Sequence, residues 1–128
     1  MHALIIEDEG VVASVIEDAL RNCGFSSFDI APSAHAAIVA AALRRPDIIT
    51  SDVRLKPGCG MATVETISQG SAIPTIFITG HGREVEKRLP NYSVIDKPFS
   101  VQKLTAAVAF VMLEKFGGAV EKRAQPEG

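Results

Sequence analysis

The 128-residue sequence is poor in cysteine, in long apolar runs and in excess charge, and each shortage excludes a class of protein. Its two cysteines, Cys23 and Cys59, form no CxxC pair and lack the His/Cys spacing of a metal site, so we expect a reduced, cytoplasmic protein. No apolar run approaches the roughly 20 residues that cross a bilayer, and the N-terminus lacks the pattern of a signal peptide. The formal net charge of -2 argues against nonspecific binding to nucleic acid or to an anionic membrane.

Strand-like and helix-like segments alternate along the chain, which predicts an α/β fold. The strand-like runs are mostly unbroken apolar stretches, as in a parallel sheet that helices cover on both faces. We therefore expect a flavodoxin-like, doubly wound sheet of five parallel strands in the order 2-1-3-4-5, with five helices. Ser33 and Ser100 are placed to cap the second and last helices, and Gly24 is placed to end the first. The strand candidates are Leu4–Ile6, Phe25–Ile30, Asp47–Ser51, Pro74–Ile78 and Val94–Ile95.

The length of the chain suits one domain and is too short for two. Gly117 and Gly118 follow the last helical segment, and the residues after them are mostly polar. We predict that residues 1–117 form the domain and that residues 118–128 form a polar C-terminal tail.

Polar side chains follow four of the predicted strands. Glu7 and Asp8 come directly after the first strand, Asp52 after the third, Thr79 after the fourth and Lys97 after the fifth. In an open α/β sheet, ligands bind at the carboxyl ends of the strands where the strand order reverses, so we expect these side chains to converge there. Clustered carboxylates repel one another and require a proton or a cation. Their oxygens suit Mg²⁺, and a lysine with a hydroxyl beside them suits the oxygens of a phosphoryl group.

Four motifs resemble the receiver domain of two-component response regulators, the CheY-like family. They are I-I-E-D-E, D-I-I-T-S-D-V-R-L-K-P-G-C-G-M, P-T-I-F-I-T-G and V-I-D-K-P-F, and together they extend the resemblance over residues 3 to about 116. Each motif alone is weak, but the set in this order and at these spacings is specific. The stretch F-I-T-G-H-G is also similar to the F-A-T-G loop of a stand-alone receiver subgroup that is often paired with histidine kinases of the HWE type.

The resemblance implies a phosphorylation site and a magnesium site. Asp52 resembles the residue that accepts the phosphoryl group and also contributes to the metal site. Asp8 resembles a direct Mg²⁺ ligand, with Glu7 beside it acting through water. The backbone carbonyl of Arg54 matches the third protein ligand. We interpret the neighbouring Glu9 as a solvated residue at the start of a helix, where the helix dipole favours it.

The same resemblance implies roles for Thr79 and Lys97 and a class of partner. Thr79 resembles the hydroxyl that contacts the phosphoryl oxygen, and Lys97 resembles its cationic partner, with a cis bond expected between Lys97 and Pro98. The expected phosphodonor is a sensor histidine kinase or a histidine phosphotransfer protein. We expect a monomer or weak dimer that acts as a stand-alone receiver and signals through changed binding to a downstream protein.

One position departs from the family pattern. The family commonly carries an aromatic switch residue three positions before the lysine, and this sequence has Val94 there, whereas Tyr92 does not match that position. Valine has a single stiff χ torsion and cannot sweep the volume of an aromatic ring. We therefore expect switching to use the loop after Thr79, where Gly80 and Gly82 leave the backbone free to move.

Three other functions fit the sequence less well than the receiver. A Mg²⁺-dependent phosphatase with an aspartyl nucleophile needs a second aspartate two residues later, and the sequence has Arg54 there. A flavodoxin-like FMN carrier binds phosphate after the first strand, where Glu7 and Asp8 would repel it. A pseudo-receiver that binds partners without phosphorylation does not need Asp52, Thr79 and Lys97, and this sequence has all three. The sequence therefore favours a signalling domain that assists its own phosphorylation and dephosphorylation and is not an enzyme acting on an external metabolite.

Overall fold

The chain forms five parallel β-strands, each followed by a helix, in the computed structural model. The structure describes residues 1–55, 57–80, 82–88 and 92–117, without the side chains of residues 84 and 115–117. None of the helices within these ranges is both long and apolar enough to cross a membrane. The elements are β1 (His2–Ile6), α1 (Gly10–Asn22), β2 (Ser27–Ala31), α2 (Ala34–Leu43), β3 (Ile48–Ser51), α3 (Gly60–Ile67), β4 (Thr75–Thr79), α4 (Gly82–Arg88), β5 (Ser93–Asp96) and α5 (Val101–Gly117).

The strand order is β2-β1-β3-β4-β5, and the predicted flavodoxin-like topology is confirmed. β1 pairs with both β2 and β3, so the order reverses at the β1–β3 junction. The register places Ile6 beside Ser51. The next residue on each strand is therefore Glu7 or Asp52, and the amide of Asp52 donates to the carbonyl of Ile6 at 3.0 Å. This register brings two carboxylates together before any side-chain interaction is considered.

Two apolar cores lie on opposite faces of the sheet. α1 and α5 cover one face, and α2, α3 and α4 cover the other. Because both faces are buried, the central strands carry apolar residues at successive positions rather than in alternation. The largest fully buried side chains on the α1/α5 face are Ile5, Ile16, Leu20, Ile48, Ile76, Ile78 and Leu104, and those on the other face are Leu4, Ile6, Ile49, Met61 and Phe77.

The predicted helix ends are confirmed where the structure describes them. The hydroxyl of Ser33 accepts a hydrogen bond from the amide of Ala36 at 3.2 Å, and the hydroxyl of Ser100 accepts one from the amide of Lys103 at 3.1 Å. Gly24 follows α1 with a φ of 101°, in the left-handed region that glycine tolerates best. The predicted tail at 118–128 lies outside the described residues.

The second strand starts later than the sequence pattern indicates. The sequence pattern places Phe25 at its start, but the strand covers Ser27–Ala31. The amide of Phe25 donates to the carbonyl of Leu20 at 3.1 Å and its side chain is buried in the α1/α5 core. Phe25 therefore closes the end of α1 and is not available to the strand ladder.

A tight loop connects β3 to α3 and fixes the backbone next to Asp52. Arg54 and Cys59 form an isolated antiparallel bridge, and Gly58 between them has a φ of 115°. The amide of Gly60 donates to the carbonyl of Val53 at 2.6 Å. A β-carbon at Gly60 would lie 2.7 Å from the hydroxyl of Ser51 and well inside van der Waals contact of the Asp52 carbonyl oxygen. The start of α3 can therefore approach the strand end only because residue 60 has no side chain.

We expect Gly60→Ala to destabilise the fold strongly, because the backbone must move to remove the overlap. The expected loss in free energy of unfolding is about 3 kcal/mol, the upper end of the range for overpacking. Urea denaturation followed by circular dichroism measures it. Gly10→Ala is the matched control, since a β-carbon there meets nothing within 4 Å and alanine favours the helix that Gly10 begins. Similar stability of Gly60→Ala and the unchanged chain would contradict this account of the loop.

Candidate functional site

The carboxylate of Asp52 lies one residue beyond β3 and has two differently held oxygens. Its Oδ1 accepts hydrogen bonds from the amides of Val53 at 2.7 Å and Arg54 at 3.4 Å. Its Oδ2 accepts a hydrogen bond from the Nζ of Lys97 at 2.9 Å. The side chain is 13% exposed, so the carboxylate is oriented by the protein while remaining accessible from solvent.

Glu7, Asp8 and Asp52 form an acidic cluster at the β1–β3 junction. One carboxylate oxygen from each residue lies within 4.8 Å of the others. Glu7 is buried, Asp8 is exposed and Asp52 is intermediate, so the cluster is open to solvent on one side. Three converging carboxylate oxygens with access to water fit the partly hydrated octahedral coordination of Mg²⁺. The donor set therefore fits the predicted magnesium ion.

Burial raises the pKa of Glu7 above its ordinary value, and the nearby charge of Asp52 raises it further. The amide of Glu9, which donates to Oε2 of Glu7 at 3.2 Å, and the ammonium group of Lys97 act in the opposite direction. A buried carboxylate beside a second carboxylate resists ionisation unless positive charge approaches it. The cluster is therefore arranged to gain from a bound cation.

The ammonium group of Lys97 is the cationic centre of the site. Its Nζ lies 2.9 Å from Oδ2 of Asp52, 3.2 Å from Oε1 of Glu7 and 3.8 Å from Oε1 of Glu9. Burial lowers the pKa of Lys97, but hydrogen bonds to Asp52 and Glu7 and the attraction of their charges outweigh burial, so the pKa is raised. Three carboxylates lie within 4.0 Å of this one ammonium group, and Asp8 belongs to the same acidic cluster, which leaves the site negative and able to attract a divalent cation.

The ends of β4 and β5 hold Thr79 and Lys97 side by side. Thr79 is fully buried and pairs with Asp96 in the sheet register. The amide of Lys97 donates to the carbonyl of Thr79 at 3.0 Å. The expected cis bond between Lys97 and Pro98 is present. Thr79 is thus adjacent to the lysine backbone, and the role of its hydroxyl stays a prediction.

The structure brings most of the predicted site residues together. Glu7, Asp8, Asp52 and Lys97 converge, whereas the side chain of Arg54 is exposed. The amide of Arg54 is directed at Asp52, and the use of its carbonyl as a metal ligand stays a prediction.

The sequence pattern did not identify Glu9 as a residue that contacts the site. It is 67% exposed, as a solvated residue would be, but its carboxylate lies 3.8 Å from the Nζ of Lys97 and its amide donates to Glu7. Its position directly after two site carboxylates was the available signal. Glu9 is the N-cap residue of α1 and its side chain makes no capping hydrogen bond, so the contact with Lys97 adds to the helix dipole that favours an acid there.

Comparison with known proteins agrees with this geometry. The family model described as response regulator receiver domain matches residues 3–109. The KDP operon transcriptional regulatory protein KdpE of Escherichia coli K12 is 30% identical over 109 residues, which are 82% of this chain and 48% of that protein. This chain therefore spans about half the length of this curated relative.

Two solved structures share the fold and part of the sequence. The solution structure of the receiver domain of Erythrobacter litoralis PhyR has a TM-score of 0.80 and 27% identity, and covers 88% of this chain and 89% of that chain. The crystal structure of the anti-anti-sigma factor PhyR from Bartonella quintana has a TM-score of 0.80 and 26% identity, and covers 92% of this chain and 49% of that chain. The matched family residues span all five strands and the acidic cluster. This chain therefore belongs to the response regulator receiver domain family.

Proposed function

We propose that this receiver domain accepts a phosphoryl group on Asp52 from a histidine kinase or a histidine phosphotransfer protein, in a Mg²⁺-dependent reaction. The observation that carries the proposal is the position of Asp52. Its Oδ2 is 2.9 Å from the Nζ of Lys97, and an oxygen of its carboxylate lies within 4.8 Å of oxygens of Glu7 and Asp8. A carboxylate is a weak nucleophile, and this arrangement supplies the positive charge that an incoming phosphoryl group needs.

The chain's own residues orient the acceptor and neutralise the transferred group. The amides of Val53 and Arg54 hold Oδ1 of Asp52, which fixes the direction of the carboxylate. A carboxylate oxygen forms the new P–O bond while the P–N bond of the donor phosphohistidine breaks and its electron pair returns to the imidazole. Lys97 is close enough to exchange its contact with Asp52 for one with a phosphoryl oxygen. Glu7, Asp8 and Asp52 would hold Mg²⁺, which when bound neutralises phosphoryl charge as a Lewis acid.

The arrangement supports signalling over turnover of an external substrate. A phosphatase that uses an aspartyl nucleophile needs a carboxyl acid/base two residues after it, and Arg54 occupies that position with an exposed side chain. The phosphorylated form of this domain would instead alter its surface and be recognised by a downstream protein. The stand-alone role that the sequence favoured stays a prediction, since longer relatives carry the same domain as a part.

We expect Asp52→Asn to abolish phosphorylation by acetyl phosphate or phosphoramidate with Mg²⁺, as measured by intact mass. The amide keeps the shape of the side chain but removes the nucleophilic oxygen. Asp8→Ala should keep the acceptor and lose most of the rate together with its dependence on Mg²⁺. Asp18→Asn, which changes an exposed carboxylate on α1, is the control and should react like the unchanged chain. A full-rate gain of one phosphoryl group by Asp52→Asn would refute the assignment.

Lys97 and Thr79 should differ in their effect on the same reaction. Lys97→Ala removes the charge beside Asp52, so we expect phosphorylation or signalling to be strongly impaired. Thr79→Ala removes a neutral hydrogen bond worth about 1 kcal/mol, so phosphorylation should continue while the response to it weakens. Rates of phosphorylation and the phosphate-dependent change in amide NMR spectra measure the two effects separately. Equal loss of acceptor chemistry in both variants would contradict these roles.

We expect switching to involve α4, because few of its described side chains are buried against the rest of the domain. Among them only Val85 is buried, and Val94 replaces the usual aromatic residue on the neighbouring strand. Segments with few buried apolar contacts open most easily. We expect hydrogen exchange in residues 82–88 to slow when Mg²⁺ and beryllofluoride bind, as in an order–disorder switch. Unchanged protection there, with a change confined to the vicinity of Val94, would show that the switch works differently.

A further inference from the structure

Glu9 is the most exposed of the three carboxylates that contact the ammonium group of Lys97. Its side chain is 67% exposed, against 13% for Asp52 and 1% for Glu7. Its Oε1 lies 3.8 Å from the Nζ of Lys97. Glu9 therefore lies on the solvent side of the lysine, which is the side from which a phosphodonor enters.

The backbone fixes the position of Glu9, while its carboxylate makes no hydrogen bond to the helix that follows. Its amide donates to Oε2 of Glu7 at 3.2 Å, and its carbonyl accepts from the amide of Ala13 at 2.9 Å in the first turn of α1. It is the N-cap residue of α1, but its side chain makes no capping hydrogen bond. A substitution there therefore removes a charge beside Lys97 without removing a hydrogen bond of the helix cap.

The charge of Glu9 is additional to the acceptor and to the acidic cluster. Among the described residues, the carboxylates whose oxygens converge within 4.8 Å are those of Glu7, Asp8 and Asp52, and Glu9 is not one of them. Charges a few ångströms apart interact measurably even in a solvated site, so Glu9 opposes the approach of an anion to Lys97. The opposition grows with the negative charge of that anion.

Phosphodonors differ in the charge that they bring to this position. Acetyl phosphate is a dianion at neutral pH, whereas phosphoramidate carries a proton on its nitrogen and is a monoanion overall. A phosphohistidine whose ring is protonated likewise has positive charge on its leaving group. In an in-line transfer the leaving group points away from Asp52, toward the side of the site that is open to solvent. A carboxylate on that side repels a leaving group that becomes anionic and attracts one that is cationic.

We propose that Glu9 selects phosphodonors by the charge of the leaving group, so that a donor with a P–N bond to a protonated nitrogen is favoured over an acyl phosphate. This preference rests on the function proposed for Asp52. With either donor, a carboxylate oxygen of Asp52 forms the new P–O bond. The P–N bond of phosphoramidate breaks and its electron pair leaves with ammonia, whereas the P–O bond of acetyl phosphate breaks and its electron pair leaves with acetate.

A role in holding Lys97 in position predicts a different result. Loss of such a contact would change the reaction with both donors by the same factor, because both donors react at Asp52 beside Lys97. The ratio of the rates with acetyl phosphate and with phosphoramidate therefore cancels the effect of positioning and isolates the effect of charge.

The test measures this rate ratio for the full chain by intact mass, at one pH, at low ionic strength and with saturating Mg²⁺. For single-charge changes near the donor in water, we expect the ratio to rise about threefold in Glu9→Gln and about tenfold in Glu9→Lys. Glu9→Asp keeps the charge and should leave the ratio within about twofold of its original value. Added salt should reduce the shifts, because it screens exposed charges.

Asp18→Asn is the matched control, since it makes the same change in net charge at an exposed position further along α1 and should leave the ratio unchanged. The dissociation constant for Mg²⁺, measured by amide NMR shifts without a phosphodonor, should rise less in Glu9→Gln than in Asp8→Ala. An equal rise in these two variants would assign Glu9 to the metal site and overturn the proposal.

The remaining outcomes separate this proposal from the one for Asp52. An unchanged ratio in both Glu9→Gln and Glu9→Lys, with phosphorylation intact, would overturn the selectivity alone. An equal shift of the ratio in Asp18→Asn would attribute the preference to net charge and would also overturn it. If neither donor phosphorylates the unchanged chain, the function proposed for Asp52 fails and the selectivity fails with it.

Discussion

The ammonium group of Lys97 is the interaction on which the rest of the site depends. It lies 2.9 Å from Asp52 and 3.2 Å from Glu7, and so joins the ends of β1, β3 and β5. Removing one partner of a buried ion pair costs about 3 to 5 kcal/mol, because the other charge is left without compensation. Lys97 and Asp52 are partly exposed, but Glu7 is buried, so Glu7 is the residue that most needs the lysine. The contacts of Lys97 with Asp52 and Glu7 therefore also stabilise the junction between the ends of β1 and β3.

The single positive charge of Lys97 cannot neutralise all the carboxylates around it. The excess negative charge affects both the stability of this junction and its capacity to bind a cation. The pKa of Glu7 is raised by burial and by Asp52 even with Lys97 close by. A divalent cation held by Glu7, Asp8 and Asp52 would offset that repulsion. The proposed metal binding and the proposed phosphoryl transfer would therefore both draw on the excess of negative charge at this junction. The backbone amides of Val53 and Arg54, fixed by the tight loop that follows, hold Oδ1 of Asp52, whereas Lys97 contacts the other oxygen.

The helices on the two faces of the sheet differ in the size of the side chains that they bury. α1 buries Ile16 and Leu20 against the sheet, and α5 buries Leu104, Val108 and Val111, as surface helices ordinarily do. α2 buries alanines and exposes isoleucine, valine and leucine. Burying the larger side chains and exposing the alanines would stabilise the domain more. The exposed apolar residues of α2 lie beside the edge strand β2, whereas the acidic site lies at the carboxyl ends of the strands.

The sequence by itself determined the order of elements, the strand topology and the convergence of Glu7, Asp8, Asp52 and Lys97, because unbroken apolar strands followed by polar residues leave few other arrangements. Only the tertiary structure decided the rest. Phe25 stays outside the strand because its amide donates to the carbonyl of Leu20 at the end of α1, and Glu9 joins the site because its carboxylate lies 3.8 Å from the Nζ of Lys97. The first contact depends on how the chain turns after α1, and the second joins residues that are distant in the chain. The order of residue types along the sequence contains neither the path of such a turn nor the distance between such residues.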